Sequence, residues 1–312
     1  MGELIVSLAG TQAGEALALA LALLSAVSHA IFGAIHKSGA DPFLNRGAIN
    51  VVYGTLALPF ALFVFPLPSP ELWRMLVVVF VVHIIYEWYQ AACYARGEFT
   101  LVYPIARGTG PLVVCVLAWL VFGETLALSQ WFGAVLLSSA IMALALFNLR
   151  DRGLVGALDG SIDPARAAAI RLAIITALIT GVLIAAYTII DAYAIRLADD
   201  PFTFLAWFFT LSGFGFPWIA YIRWRRMAPA QRPPLGDLAV RGVFGAIIAL
   251  TSFGALLLAT RLDKVGEAAA LRETSIVFAT AIGVLIFREQ VSFQKLGIIA
   301  LIALGAILVE FG

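Results

Sequence analysis

Two arginines lie in apolar stretches of a sequence that is otherwise poor in charge. Arg107 follows Tyr103 and a proline and precedes two glycines and a second proline, and Arg272 is followed directly by Glu273. Because proline and glycine disfavour a continuous helix, we expect a broken helix near Arg107, with exposed backbone N–H groups and the positive end of a helix dipole. A guanidinium at such a break can hold a carboxylate, phosphate or phosphonate.

Both arginines could instead be neutralised within the protein. Glu87 is a candidate partner for Arg107, and Glu267 or Glu273 is a candidate partner for Arg272. A buried ion pair of this kind does not by itself indicate a ligand. The sequence therefore predicts either an anion site or two internal ion pairs.

A polar stripe runs through the third apolar segment. His83, Tyr86, Glu87 and Gln90 are spaced i, i+3, i+4 and i+7, which places them on one face of a helix. Ionisable residues at membrane depth are costly and are functional candidates by default. We therefore expect this face to line a cavity or to meet another helix, and the alternative is a polar packing seam without a ligand.

Other segments add further candidate substrate contacts. His29 lies in the first apolar run, and Tyr187 and Asp191 are spaced i, i+4 in the sixth. Asp191 could also simply lie near a helix end. Glu87, Asp191, Glu273 and His29 are each plausible proton carriers, so coupling to protons or to a counter-substrate stays open. No cofactor is predicted.

Composition restricts the class of protein. Hydrophobic residues make up 62% of the 312 residues and charged residues 12%, whereas soluble domains are about a quarter charged. The mean hydropathy is +0.99. The net charge of +1 supplies no basic face for a nucleic acid. The two cysteines lack metal-ligand spacing and no histidine has an H-x-x-x-H partner, so neither a metal site nor an enzyme is predicted.

The apolar runs have the length of membrane spans, about 20 residues each. They predict an all-α polytopic membrane protein with ten transmembrane helices at 14–35, 46–66, 72–94, 102–122, 127–148, 170–195, 202–222, 239–260, 266–287 and 292–311. Most Lys and Arg residues lie in the loops that follow the odd-numbered helices. The positive-inside rule then places these loops in the cytoplasm and both termini outside.

An internal repeat divides the chain. A shift of 165 residues places Arg107 on Arg272, and a shift of 159 places Asp41-Pro-Phe43 on Asp200-Pro-Phe202. We assign 1–148 to the first five-helix repeat, 149–169 to a connecting loop and 170–312 to the second repeat. An odd number of helices inverts the second copy in the membrane, and inverted repeats are typical of transporters.

Short motifs follow the fourth and ninth predicted helices at matching places. They are Leu120-Val-Phe-Gly-Glu124 and Leu285-Ile-Phe-Arg-Glu289, followed by Trp131-Phe-Gly-Ala134 and Leu296-Gly-Ile-Ile299. With these motifs, nearly the whole chain resembles the EamA family of the drug/metabolite transporter superfamily. The segment from Tyr94 to Pro111 is more weakly similar to the phosphonate-associated subgroup of that family. The resemblance implies a secondary transporter with a central substrate cavity and with both termini in the cytoplasm, against the charge count.

The leading hypothesis is a secondary transporter that works by alternating access. It would move a small anionic or zwitterionic metabolite, such as an amino acid or a phosphonate-like compound, outward across a bacterial inner membrane. Arg107 and Arg272 would hold the acid group, and Glu87 or Asp191 would hold an amine or a proton. The alternative is a flippase for an anionic phospholipid or a lipid-linked substrate. The expected partners are a small-molecule substrate and the lipid bilayer, without nucleic acid, and a homodimer is left open.

Overall fold

Apolar segments in lipid must satisfy their backbone hydrogen bonds internally, and they do so here as helices. The computed structural model describes residues 2–36, 41–96, 99–151, 163–285, 288 and 291–312, without side chains at 33–36, 99–101, 151 and 283. Glu289 lies outside the described residues. The α-helices of this part are α1 Gly2–Leu8, α2 Gln12–His36, α3 Pro42–Phe63, α4 Pro70–Arg96, α5 Phe99–Gly108, α6 Gly110–Phe122, α7 Leu128–Asp151, α8 Pro164–Leu197, α9 Pro201–Arg226, α10 Leu235–Leu262, α11 Val265–Arg272, α12 Ser275–Leu285 and α13 Phe293–Phe311.

Nine segments of the described chain are long and apolar enough to cross a membrane. The prediction of an all-α polytopic membrane protein is therefore confirmed. The helix predicted at 266–287 is divided into α11 and α12, which have 8 and 11 residues, so it is not among the nine spans. The count of ten membrane helices stays a prediction. The short helix α1 was not predicted, because seven residues are too few to show a periodic pattern.

The chain packs as two compact units, each built from both sequence halves. The first unit comprises Met1–Trp88 and Ile190–Lys264, and the second comprises Tyr89–Ile189 and Val265–Gly312. Helices α4 and α8 continue from one unit into the other. The predicted boundaries at 148 and 170 describe a sequence repeat rather than a packing unit, and they stay a prediction.

In the first unit, two helices that the repeat relates begin in the same way. Asp41 Oδ1 accepts hydrogen bonds from the backbone N–H groups of Phe43 and Leu44 at the start of α3. Asp200 Oδ1 accepts one from Phe202 at the start of α9. In both helices a proline follows the aspartate. An aspartate that caps the helix with proline at the first helical position favours a helix start, which explains why the motif recurs.

Helices α3 and α9 pack against each other in opposite directions. A Cβ added to Gly54 would lie 2.5 Å from Gly213 Cα, and a Cβ added to Gly213 would lie 2.5 Å from Gly54 Cα. Gly47 approaches Ala220 in the same way. The partner's number falls as the residue number rises, so the helices are antiparallel. Gly54 and Gly213 are 159 positions apart, and a reciprocal contact between such residues is what an inverted repeat predicts.

The second unit contains a similar antiparallel pair, α7 and α13. Gly133 approaches Leu308, and Gly305 approaches Leu137, with added Cβ atoms 2.7 Å from the nearest atom in each case. Residues buried around this crossing form an apolar core that includes Cys115, Leu137, Ile141, Ile302 and Val309. This core supports the two interrupted helices of the unit, since α6 and α7 pack together and α11 packs on both α6 and α13.

Both interrupted helices break at places that the repeat relates. Helices α5 and α6 are separated by Thr109, and α11 and α12 are separated by Glu273 and Thr274. The break near Arg107 was expected from its glycines and prolines, and it lies directly after Gly108. Glu124 Oε2 accepts the backbone N–H of Val265 at 2.9 Å, so a carboxylate meets the positive end of the short helix α11.

Candidate functional site

An arginine and a glutamate from the two helix breaks meet in the second unit. Arg107 Nη1 donates to Glu273 Oε1 at 2.8 Å. Both residues are buried, with 3% and 4% of their surfaces exposed. Arg107 lies in the last turn of α5, and Glu273 lies in the turn between α11 and α12. Arg107 is therefore paired with an acid of the protein, as the alternative of internal ion pairs expected. That acid is Glu273 and not the candidate Glu87.

Aromatic and small residues surround this pair. The guanidinium carbon of Arg107 lies 5.6 Å from the centre of the Tyr103 ring, a distance at which a cation is attracted to an aromatic ring. A side chain at Gly181 of α8 would collide with Thr109, so α8 lies directly against the break. Tyr187, two turns further along α8, is also fully buried. The second unit thus collects Tyr103, Arg107 and Tyr187 of the predicted site.

The other predicted residues of the second unit are placed as follows. Arg272 is buried, at 5% exposure, and ends α11 next to Glu273. Gln90 is half-buried in α4. Glu267, one candidate partner for Arg272, accepts a hydrogen bond from Gln130 Nε2 at 2.8 Å, and the same amide nitrogen donates to the backbone carbonyl of Val309. The amide of Gln130 therefore joins α11 to α13.

The first unit contains a second polar cluster, centred on Glu87. Asn50 Nδ2 donates to Glu87 Oε2 at 2.8 Å and also lies 3.2 Å from the carbonyl of Ser212. The hydroxyl of Tyr53 donates to Glu87 Oε1 at 3.5 Å. Arg46 Nε lies 3.9 Å from the same oxygen. The Glu87 carboxylate thus accepts hydrogen bonds from two neutral side chains, and the cation of Arg46 lies farther away.

A histidine and an aspartate pair beside this cluster. His83 Nε2 and Asp191 Oδ2 are 2.8 Å apart, with 4% and 0% of the residues exposed. The imidazole ring stands nearly perpendicular to the rings of Phe208, Phe253 and Tyr86, at centroid distances of 4.9, 5.6 and 6.1 Å. Asp191 is therefore one member of a buried hydrogen-bonded pair in α8 and not a residue at the end of that helix.

The polar face of α4 points inward, as the spacing predicted. His83, Tyr86 and Glu87 are buried, whereas Ile85 and Trp88 on the other side are exposed to 43% and 40%. His29 in α2 is half-buried, and its ring stacks on Phe32 at 6.1 Å. The buried residues of this face contact protein groups, as a polar packing seam would, and binding of a ligand there stays a prediction.

Sequence reasoning missed the residues of α3 that bind Glu87. Arg46, Asn50 and Tyr53 are spaced i, i+4 and i+7, which is the same signal that identified the polar face of α4. All three lie in the helix predicted at 46–66, and none of them is among the predicted site residues. The structure also gives Arg196 a structural role, since it donates to the carbonyls of Thr260 and Asp263 at the end of α10.

The chemistry available at both clusters is ion binding. Each places carboxylates beside cationic or neutral donors at membrane depth, where charges are costly unless they are paired. Within the described residues, no group of three or more His, Cys, Asp or Glu side chains could hold a metal ion.

Comparisons with known proteins agree with the membrane fold. Residues 171–311 match the EamA-like transporter family, which supports the resemblance over the second predicted repeat. A crystal structure of another protein superposes with a TM-score of 0.71 over 96% of each chain at 16% sequence identity, and at this identity the likeness shows the fold alone. No curated protein matches the chain. Similarity to the phosphonate-associated subgroup stays a prediction.

Proposed function

We propose that the whole chain is a secondary transporter of the EamA-like type. It would move a small anionic or zwitterionic metabolite, such as an amino acid or a phosphonate-like compound, out of the cell across a bacterial inner membrane. The match of residues 171–311 to that family supports a transporter, and the apolar helices make it a multi-pass membrane protein. Binding of substrate would shift the population between inward-open and outward-open states.

The observation that carries the proposal is the position of Arg107. Its guanidinium is buried in an interrupted spanning helix and is paired with an acid from a second interruption. Interrupted helices at membrane depth are where transporters bind charged substrates, because backbone groups are available there. An arginine binds carboxylates and phosphonates in the same geometry, so we assign the acid group of the substrate to Arg107.

Two other arginines show what a structural role looks like in this chain. Arg196 donates to backbone carbonyls that end a helix, where a cation is stabilised by the helix dipole. Arg223 binds both oxygens of Asp41 and is 43% exposed at the side chain. Arg107 differs from both, since it is buried and its partner Glu273 lies in the turn between α11 and α12.

The first experiment is a thermal-shift screen of the purified protein in detergent. Amino acids, phosphonates, phosphate esters and anionic lipids are added separately, because a ligand at 100 times its dissociation constant stabilises the folded state by about 2.7 kcal/mol. Stabilisation by one soluble class supports the metabolite transporter and identifies the class. Stabilisation by anionic lipids alone favours the flippase instead.

The second experiment measures transport of the stabilising compound in proteoliposomes. Arg107→Gln is expected to abolish uptake, and the double variant Arg107→Gln, Glu273→Gln keeps the site neutral so that folding can be separated from binding. Arg196→Gln is the matched control, because it removes a different partly buried arginine, which donates to the backbone carbonyls of Thr260 and Asp263 in the first unit. Full uptake by a folded Arg107→Gln protein would show that Arg107 is not part of the substrate site.

A further inference from the structure

We infer that Glu273 is an internal competitor of the substrate at Arg107, so that an anion binds there together with one proton taken up by Glu273. This inference rests on the proposed function, which it extends by naming the coupling ion. The reaction is balanced in atoms and charge. The ion pair opens, the anion takes the place of the Glu273 carboxylate, and the carboxylate becomes a neutral acid.

The contact between the two residues is one that a ligand could replace. Glu273 Oε1 accepts one hydrogen bond from Arg107, while Glu273 Oε2 is buried and has no hydrogen-bond partner among the residues that the structure describes. The pair of Arg223 and Asp41 is different, because three contacts engage both carboxylate oxygens. Glu273 also lies in the turn between α11 and α12, outside both helices.

The charges around this site favour the exchange of one anion for another. The charged or titratable groups at the two helix breaks and on the segments packed there are Arg107 and Tyr103 from α5, Arg272 and Glu267 from α11, Glu273 from the turn after α11, Cys115 from α6, which contacts Gly266, and Glu124, which accepts the Gly266 N–H. Three glutamates thus accompany the two arginines. An anion added beside an ionised Glu273, about 4 Å away, would bind about a thousandfold more weakly at an effective dielectric constant of about 20. Protonation of Glu273 removes that repulsion.

The acid is present in one half of the repeat only. The residue that the shift of 165 places on Glu273 is Gly108, although both arginines and both helix breaks are repeated. The helix break of the first half therefore forms without a glutamate at this position. In the second half the same position carries Glu273, a group that can hold a proton. In sequence, Arg107 is followed by glycine and Arg272 by Glu273, so the acid that pairs with Arg107 comes from the second half.

The test measures the affinity of methanesulfonate and lactate, two monoanions whose charge is constant near neutral pH, by titration calorimetry at constant ionic strength. The affinity of the unmodified protein is expected to fall about tenfold for each unit of pH, because one proton is bound with each anion. Glu273→Gln should bind at least about tenfold more tightly at neutral pH and show no dependence on pH. Glu267→Gln, which removes a neighbouring buried acid, should keep the original slope.

Proton uptake provides a second measurement that needs no variant, in case Glu273→Gln does not fold. Calorimetry of the unmodified protein in two buffers of different ionisation enthalpy should report one proton bound per anion. Affinity that is independent of pH without proton uptake overturns the inference, as does absence of binding to both the unmodified protein and a folded Glu273→Gln. If Arg107-dependent transport persists without proton uptake, only this inference fails. If anions bind with a proton and no metabolite is transported, only the proposed function fails.

Discussion

Alanine in place of Gly54 is expected to destabilise the first unit by opening the crossing of α3 and α9. The added Cβ would lie 2.5 Å from Gly213 Cα and 3.3 Å from Gly213 N. These obstacles are backbone atoms, which cannot rotate away as the end of a side chain can. The two helices must therefore move apart along their whole contact.

The size of the effect follows from that distance. Carbon atoms in contact are ordinarily about 3.5–4.0 Å apart, so the helices must separate by about 1 Å. This separation weakens neighbouring contacts such as that between the rings of Tyr53 and Phe209, which are 5.3 Å apart. Overpacking of this kind costs about 1–3 kcal/mol, and we expect a value of about 2–3 kcal/mol because the obstacle is backbone. On the scale for soluble chains, the melting temperature should fall by roughly 4–12 °C.

The assay is the fraction of monodisperse protein that remains after heating in detergent, measured by size-exclusion chromatography. Gly254→Ala is the matched control in the same unit, because its added Cβ meets no described atom within 4 Å. Gly213→Ala should cost as much as Gly54→Ala, and the double variant should cost less than the sum, since one separation serves both methyl groups. The reasoning is refuted if Gly54→Ala is as stable as Gly254→Ala.

Two further predictions concern stability at helix starts. Glu124→Gln should lower the stability of the folded protein by about 1–2 kcal/mol, because it weakens a charge-assisted hydrogen bond from Val265 N–H at the positive end of α11. The control is Glu71→Gln, which changes an exposed acid and should have no effect in the same heating assay. Arg223→Gln should lower the stability by no more than about 1 kcal/mol, since its ion pair with Asp41 is partly exposed. Asp41→Ala should lower it more, because it also removes the cap of α3. The opposite order would contradict the capping role of Asp41.

Sequence periodicity was sufficient to place most of the membrane segments and the inward face of α4. Both signals are local, because hydropathy and a 3.6-residue period are properties of one helix. The break after Arg107 was also expected, since glycines and prolines mark it. The break after Arg272 has neither residue type within it, so a single helix was predicted at 266–287. Only the correspondence of Thr274 with Thr109 in the repeat could have indicated it.

The partners of the ionisable residues were harder to predict. Glu87 was one candidate partner for Arg107 in the sequence, but the structure gives it Asn50 and Tyr53 from α3. Those two residues are uncharged, so a search for counter-ions alone does not identify them. Burying a carboxylate requires hydrogen-bond donors as well as counter-ions. Neutral polar residues at helical spacing in an apolar sequence are therefore candidate partners of a buried acid, as charged residues are.

The amino-acid sequence by itself determined that this chain spans a membrane as helices, which of its faces are polar, and that its two halves are related. The tertiary structure alone decided which charges meet. His83 and Asp191 are 108 positions apart, and Arg107 and Glu273 are 166 apart. Such pairs depend on how helices cross and on their register, which many apolar contacts set together. Composition and spacing along one helix carry no information about that register. The tertiary structure alone therefore showed that each packing unit combines both halves of the sequence.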